Sequence, residues 1–187
     1  MTVVNPRSLI DGNFIVGNLD PNQIQQVGID LTIDKLHEFA PDSESAIGKN
    51  DRQLADYRLM TPLKKVQATK RGKTHSDTSV ITMEEGWMLK PGYYLWDAKE
   101  TITVPQDAMA IIIQRSTFVR AGVQILTGVW DPGFQGVLGG NLIVHNPIRL
   151  ERGARVAQII FWKAEPASQY SGAYMNTSHG SSSGMSI

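Results

Sequence analysis

The sequence contains no cysteine. This absence excludes disulfide cross-links, thiol nucleophiles, iron–sulfur clusters and every zinc site that needs a cysteine ligand. It therefore excludes the cysteine-containing zinc centre with which many nucleobase deaminases activate water. If the chain carries out deamination, it does so without that metal site.

An excess of charge of one sign is also lacking, since 18 lysines and arginines balance 18 aspartates and glutamates. A neutral chain offers no general attraction for nucleic acid or an anionic membrane, so a phosphate site has to be local. No apolar run approaches the length of a membrane-spanning helix, and residues 1–11 lack the pattern of a signal peptide. We expect a cytoplasmic protein with no membrane or nucleic-acid partner.

Basic residues cluster between positions 64 and 73, and a serine- and threonine-rich stretch follows. No aromatic residue is interleaved with these lysines and arginines, whereas nucleic-acid surfaces commonly combine the two. We interpret this segment as a solvated loop between strands.

The pattern of the chain is that of an all-β protein. β-branched and aromatic runs separated by Pro, Gly, Asn or Asp predict six strands, over residues 79–83, 92–96, 101–104, 108–114, 136–145 and 155–163. Helical signal is confined to short turns at 6–10, 21–26 and 116–120, the last with Ser116 near its start as a candidate N-cap. This spacing favours a β-barrel or jelly roll, and the length favours one domain over residues 1–165.

Two strands are apolar on both faces. One contains three consecutive isoleucines, Ile111 to Ile113, and the other runs over 156–162 with Gln158 as its only polar member. A strand of this kind is covered on both sides, and in a short chain a second subunit is the simplest cover. Gln158 itself is either a functional amide or a buried amide with satisfied hydrogen bonds.

The tail, residues 166–187, is rich in glycine and serine and poor in apolar side chains. Its composition fits a disordered terminus, and it fits equally a flexible lid whose backbone amides and hydroxyls wrap phosphate oxygens on closure.

Three polar positions stand out in apolar or turn surroundings. Arg115 follows an apolar strand and precedes Ser116; it either caps the strand end in solvent or offers a planar guanidinium fork, beside a hydroxyl, to phosphate oxygens. Asp30 is a lone acid in an apolar run and needs either a partner or a cation. Asp131 lies in a tight turn between Trp130 and Pro132, where an aspartate is common even without a function.

The order and wording of these motifs resemble those of the superfamily of trimeric dUTPases and dCTP deaminases. The resemblance rests on 28–31 (GIDL), 115–117 (RST), 120–122 (RAG), 130–136 (WDPGFQG) and 157–161 (AQIIF), and the overall layout over residues 8–175 is similar to the deaminase branch. It implies a distorted jelly roll or β-barrel of the dUTPase type, assembled as a homotrimer with active sites shared between subunits.

The resemblance also implies roles for individual residues. It implies that phosphates are bound by Arg115, Ser116, Thr117 and Gln158 and, from the lid, by Ser181, Ser182 and Ser183. It implies that the base and sugar are contacted by Thr127, Gly128, Val129, Phe134, Asn141, Tyr170 and Tyr174. It implies that Asp131 orients or activates water together with Arg120, and that Asp30 helps to hold Mg²⁺ through water.

One absence separates the two chemistries of that superfamily. Deaminases carry a proton-shuttling glutamate on the strand after the Asp-Pro-Gly-Phe turn, and the equivalent position here is Asn141. No acid occurs between Asp131 and Glu151, and an amide cannot relay a proton as a carboxyl group does. We expect a magnesium-dependent dUTP diphosphatase that converts dUTP to dUMP and diphosphate. The alternatives are a dCTP deaminase, mono- or bifunctional, and an inactive nucleotide-binding regulator of the same fold.

Overall fold

A computed structural model describes residues 2–12, 14–16, 19–49, 51–71, 78–165, 168 and 171–172. Two short helices, α1 (Pro6–Asp11) and α2 (Ser116–Ala121), and one 3₁₀ turn (Pro21–Gln23) accompany the strands. Neither helix is long and apolar enough to cross a membrane. The strands are β1 (Ile15–Val16), β2 (Ile29–Phe39), β3 (Ala46–Ile47), β4 (Arg52–Gln53), β5 (Tyr57–Leu59), β6 (Leu63–Arg71), β7 (Thr78–Leu89), β8 (Gly92–Thr103), β9 (Ala108–Gln114), β10 (Val123–Leu126), β11 (Gln135–Val144), β12 (Ile148–Glu151) and β13 (Arg155–Lys163).

The main sheet is antiparallel and runs in the order β10-β11-β8-β2-β13-β9, with β1 added to β8 and β5 added to β2. Its two ends meet, because Trp130, just after β10, forms a bridge with Ala110 of β9. The sheet is therefore nearly closed, which confirms the prediction of a barrel-like all-β fold. The core fills its interior and includes Ile29, Leu31, Trp96, Leu138 and Ile159.

Strands β6 and β7 form a hairpin that pairs with β12 in a separate three-stranded sheet. The prediction of a solvated loop over 64–73 was wrong for residues 64–71, which lie in β6; residues 72–77 lie outside the described part. The lysines suggested a loop, but exposed strands commonly carry lysine. Among residues 64–70 only Val66 is buried, so a half-exposed ribbon left little apolar signal.

Two further strands differ from the predictions. Strand β2 was not predicted, and the two short strands at 92–96 and 101–104 form one continuous strand, β8. The polar residues Asp97 and Glu100 interrupted the apolar pattern of β8, yet both are buried, with His37 and Thr32 as hydrogen-bond partners. Strands β9 and β13 have the predicted bounds.

Helix α2 begins at Ser116, as predicted, but its N-cap residue differs from the prediction. Arg115 is the N-cap residue, makes no side-chain capping bond and is followed by Ser116 as the first helical residue, so Ser116 as N-cap was wrong. The helix ends at Gly122, whose φ of 71° suits glycine. The backbone N–H of Gly122 donates to the carbonyls of Phe118 and Val119.

The two faces of strand β9 are covered to different extents. On β9, Ala110 and Ile112 are buried in the core, whereas Ile113 is 43 % exposed in the single chain. The cover over the outer face by another subunit stays a prediction.

Candidate active site

Three neighbouring strands bring one acidic, one amide and one basic side chain together. Asp30 of β2 lies opposite Gln158 of β13. On the other side of β13, Ala157 lies opposite Gln114, so that Arg115 follows at the end of β9. The predicted residues Asp30, Arg115 and Gln158 thus meet at one end of the barrel.

Asp30 is 1 % exposed and is surrounded by N–H donors. Its Oδ2 atom lies 3.0 Å from Nη1 of Arg115 and 3.4 Å from Nη1 of Arg155. Nε2 of Gln25 donates to Oδ2 at 3.3 Å, and Nε2 of Gln158 donates to Oδ1 at 3.5 Å. We call these five residues the Asp30 cluster. The partner that the sequence required for a buried acid is therefore a pair of arginines.

Burial raises the pKa of Asp30 above its usual value, while Arg115, Arg155 and the amide of Gln158 act in the opposite direction. Loss of hydration disfavours the charged carboxylate, and nearby positive charges favour it. Both guanidinium groups remain partly accessible, with 31 % and 41 % of their side chains exposed. They hold Asp30 and still present N–H groups to a ligand.

The sequence analysis missed Arg155 and Gln25. In a regular strand Arg155 and Gln158 would point to opposite faces, because their separation is odd. A register shift between Arg155 and Ala157 in the pairing with β2 changes this alternation, and both side chains reach Asp30. A β-bulge is not visible in apolar periodicity, so no sequence signal pointed to Arg155.

Helix α2 continues directly from this cluster. Ser116, Thr117 and Arg120 are exposed on it. Their side chains have no hydrogen-bond partner in the part of the chain that the structure describes. They are open to a ligand beside Arg115.

The predicted catalytic aspartate lies in a rigid turn. Trp130 exchanges two backbone hydrogen bonds with Ala110, both 2.9 Å. The carbonyl of Asp131 accepts from the N–H of Phe134 at 3.1 Å, and Gly133 adopts a φ of 83° that favours glycine. The carboxylate of Asp131 is exposed, with no partner within the described ranges. The backbone is fixed and the carboxylate is free.

Phe134, for which the resemblance implies contact with the base and sugar, lies in the core. Its ring is 4 % exposed, belongs to the core and contacts Trp130 edge-on, with ring centroids 4.7 Å apart. Within one chain it supports the Asp131 turn from below.

The residues assigned to the base are partly brought together. Asn141 of β11 lies opposite Leu126 at the end of β10, and Thr127 follows. The hydroxyl of Thr127 donates to the carbonyl of Ile112 at 3.4 Å. Gly128, Val129 and Asn141 are exposed. Tyr170, Tyr174 and the lid serines Ser181, Ser182 and Ser183 lie outside the described residues.

The Asp30 cluster and the Asp131 turn lie at opposite ends of β9. Trp130 is level with Ala110, and Arg115 lies five positions further along the strand. At a rise of about 3.3 Å per residue, this separates Arg115 from the Asp131 turn by roughly 16 Å. Arg115 and Asp131 therefore do not contact each other directly within a single chain.

A magnesium ion fits poorly as a directly bound group. No cluster of three or more His, Asp or Glu side chains that could hold a metal occurs among the described residues. Mg²⁺ demands oxygen ligands, and the oxygens of Asp30 are buried under guanidinium and amide N–H groups. Asp30 provides no open position for a direct bond to the ion.

Comparison with known proteins identifies the family. The family model described as dCTP deaminase-like matches residues 6–164. The chain belongs to the dCTP deaminase-like family.

Curated relatives of this family member carry the name of a hydrolase. A probable deoxyuridine 5'-triphosphate nucleotidohydrolase of Halobacterium salinarum is 30 % identical over 168 residues, covering 88 % of this chain and 92 % of the relative. The deoxyuridine 5'-triphosphate nucleotidohydrolase of Methanocaldococcus jannaschii is 28 % identical over 144 residues, covering 77 % and 81 %.

Among solved structures, the 2'-deoxycytidine 5'-triphosphate deaminase from Agrobacterium tumefaciens has a TM-score of 0.56 and 18 % identity. The match covers 85 % of this chain and 47 % of the deaminase chain, so this chain spans about half of that protein. This likeness shows the fold.

Proposed function

We propose that the protein is a dUTP diphosphatase, which hydrolyses dUTP to dUMP and diphosphate in the presence of Mg²⁺. Relatives that share most of their length with this chain are named deoxyuridine 5'-triphosphate nucleotidohydrolases. The Asp30 cluster and the exposed carboxylate of Asp131 supply the two parts that such a reaction needs, a phosphate-binding surface and a proton acceptor.

One observation supports hydrolysis of dUTP over deamination. Strand β11, which follows the Asp131 turn, carries no carboxylate, and its exposed amide Asn141 lies beside the predicted base-binding segment 127–129. Glu151, the next acid along the chain, belongs to β12 in the other sheet. Deamination requires repeated proton transfer to and from the base, which an amide does not perform.

In the proposed reaction, water attacks the α-phosphorus of dUTP. Asp131 accepts a proton as the new phosphorus–oxygen bond forms, and the bond from the α-phosphorus to the bridging oxygen of diphosphate breaks. The exposed N–H groups of Arg115 and Arg155 and the hydroxyls of Ser116 and Thr117 hold the negative oxygens. Arginine suits this role because its fork remains charged and matches phosphate geometry.

Magnesium enters as part of the substrate. The triphosphate oxygens are the ligands that the ion prefers, and it neutralises part of their charge. Asp30, whose oxygens are occupied by N–H donors, keeps both arginines in place.

The active site is shared between subunits of a homotrimer. The separation of Arg115 and Asp131 along β9 supports this arrangement, as does the exposed Ile113 on the outer face of the same strand. The lid that we propose for residues 166–187 closes over the phosphates with Ser181, Ser182 and Ser183.

Product analysis tests the function. The protein is incubated separately with dUTP and dCTP, with and without Mg²⁺, and diphosphate and ammonia are measured. We expect magnesium-dependent diphosphate from dUTP and no ammonia from dCTP. Ammonia at a comparable rate would identify a deaminase, and turnover of neither nucleotide would overturn the proposed function.

A further inference from the structure

A second buried carboxylate lies behind the Asp30 cluster. Glu100 of β8 is 3 % exposed. Its Oε1 accepts from Oγ1 of Thr32 at 2.7 Å and from Nε2 of Gln23 at 2.8 Å, and its Oε2 accepts from the N–H of Thr32 at 3.0 Å. It forms no ion pair with the described lysines, arginines or histidines. A buried carboxylate is costly unless its hydrogen bonds are made, so these three neutral donors hold it.

Gln23 connects Glu100 to the backbone of Asp30. Its Nε2 also donates to the carbonyl of Asp30 at 2.9 Å, and its Oε1 accepts from the N–H of Asp20 at 2.8 Å. Gln23 is itself 4 % exposed and belongs to the 3₁₀ turn Pro21–Gln23. The pair, which we call the Gln23–Glu100 latch, fixes this turn against β2.

The outer side of the same turn contacts Arg155 and Gln25 of the Asp30 cluster. The carbonyl of Asn22 accepts from Nη1 of Arg155 at 2.9 Å and from Nε2 of Gln25 at 2.8 Å. Gln25 also reaches Oδ2 of Asp30. The position of Arg155 therefore depends on the turn, and the position of the turn depends on the latch.

We propose that Glu100 is a positioning residue for binding of the triphosphate. Through Gln23 it holds the turn that orients Arg155, Gln25 and Asp30, and Asp30 in turn holds Arg115. This inference rests on the proposed function. Because the latch and its turn contact residues of the Asp30 cluster and not the Asp131 turn, loss of the latch weakens binding of dUTP and leaves the chemical step unchanged.

The test is Glu100→Gln, which preserves shape but turns an amide N–H toward one of the two N–H donors, Nε2 of Gln23 or the backbone N–H of Thr32. We expect the KM for dUTP to rise roughly 10-fold, the scale of a lost hydrogen bond to a charged group, while kcat stays within about threefold. Glu38→Gln is the matched control. Glu38 is an exposed carboxylate on β2 paired with Arg58, and its loss leaves both constants unchanged. A folded Glu100→Gln protein with unchanged KM, or with kcat reduced as much as KM is raised, overturns the proposal.

A milder variant covers the case in which Glu100→Gln does not fold. Thr32→Val keeps the shape of the side chain and removes one donor to Glu100; we expect KM to rise about threefold, and an unchanged value overturns the proposal.

Calorimetric binding of a non-hydrolysable α,β-imido analogue of dUTP with Mg²⁺ separates the two proposals. If the native protein binds the analogue without hydrolysing dUTP, the proposed function fails, and the latch is then judged by whether either variant weakens the Kd. A native protein that binds no nucleotide overturns both.

Discussion

The carboxylates at the two ends of β9 lie in different environments. At one end, Asp30 is buried and its carboxylate is held by two arginines and two amides of the same chain. At the other end, Asp131 has a rigid backbone and an exposed carboxylate with no partner among the described residues. In the site that we propose, phosphate binding is thus organised within one chain, whereas the proton acceptor stays free to meet water and a substrate held by a neighbouring subunit.

Removing the free carboxylate has the largest expected effect. Asp131→Asn should reduce the kcat for dUTP hydrolysis by roughly 10²-fold or more, the scale of a lost general base. The Kd of the imido analogue should change little, because phosphate binding lies at the other end. Turnover within a few-fold of the native rate would show that Asp131 is not the proton acceptor.

Mixed assemblies test whether the two ends belong to one site across subunits. Asp131→Asn and Arg115→Ala chains are co-expressed in equal amounts, so that each half of a shared site is intact half of the time. About a quarter of the native activity should then return, given random assembly of a closed trimer. If no activity returns although light scattering shows mixed trimers, both residues act within one chain.

We expect the planar shape of the Arg115 guanidinium, and not only its charge, to contribute to binding of dUTP. Arg115→Lys retains the charge but loses the planar fork, so the KM for dUTP should rise roughly 10-fold with a smaller change in kcat. Arg58→Lys, at an exposed ion pair with Glu38, is the control and should behave as the native protein. Equal effects of both variants would remove Arg115 from phosphate binding.

The smallest expected effect is on the pH dependence of the free energy of unfolding. Because burial raises the pKa of Asp30, the folded state binds this proton more tightly than the unfolded state. The contribution of Asp30 to the free energy of unfolding therefore falls as pH rises from its unfolded value through the raised folded value. Asp30→Asn lacks this dependence.

Urea unfolding of both proteins between pH 4 and 7 should show the native protein losing stability relative to Asp30→Asn with increasing pH. The opposite slope would mean that the arginines outweigh the loss of hydration.

Much of the candidate site was predictable because its residues belong to local sequence motifs. Arg115 with Ser116, the Asp131 turn and the lone acid Asp30 could be selected from residue chemistry, and β9 and β13 from unbroken apolar runs. The contacts between residues far apart in the sequence could not be predicted. Arg155 reaches Asp30 only because of a β-bulge, and Gln25 and Glu100 join the site through a turn and a strand far away in sequence.

The sequence by itself determined the all-β class, the absence of cysteine chemistry and the amide at position 141 where deamination would need an acid. These properties follow from local composition and from residue identity, which no folding can change. The tertiary structure alone decided that Asp30 pairs with arginines, that Phe134 supports the turn from the core, and that Arg115 and Asp131 lie about 16 Å apart along β9. Pairing of distant strands sets these relations, because register and bulges depend on packing across the barrel and not on neighbours along the chain.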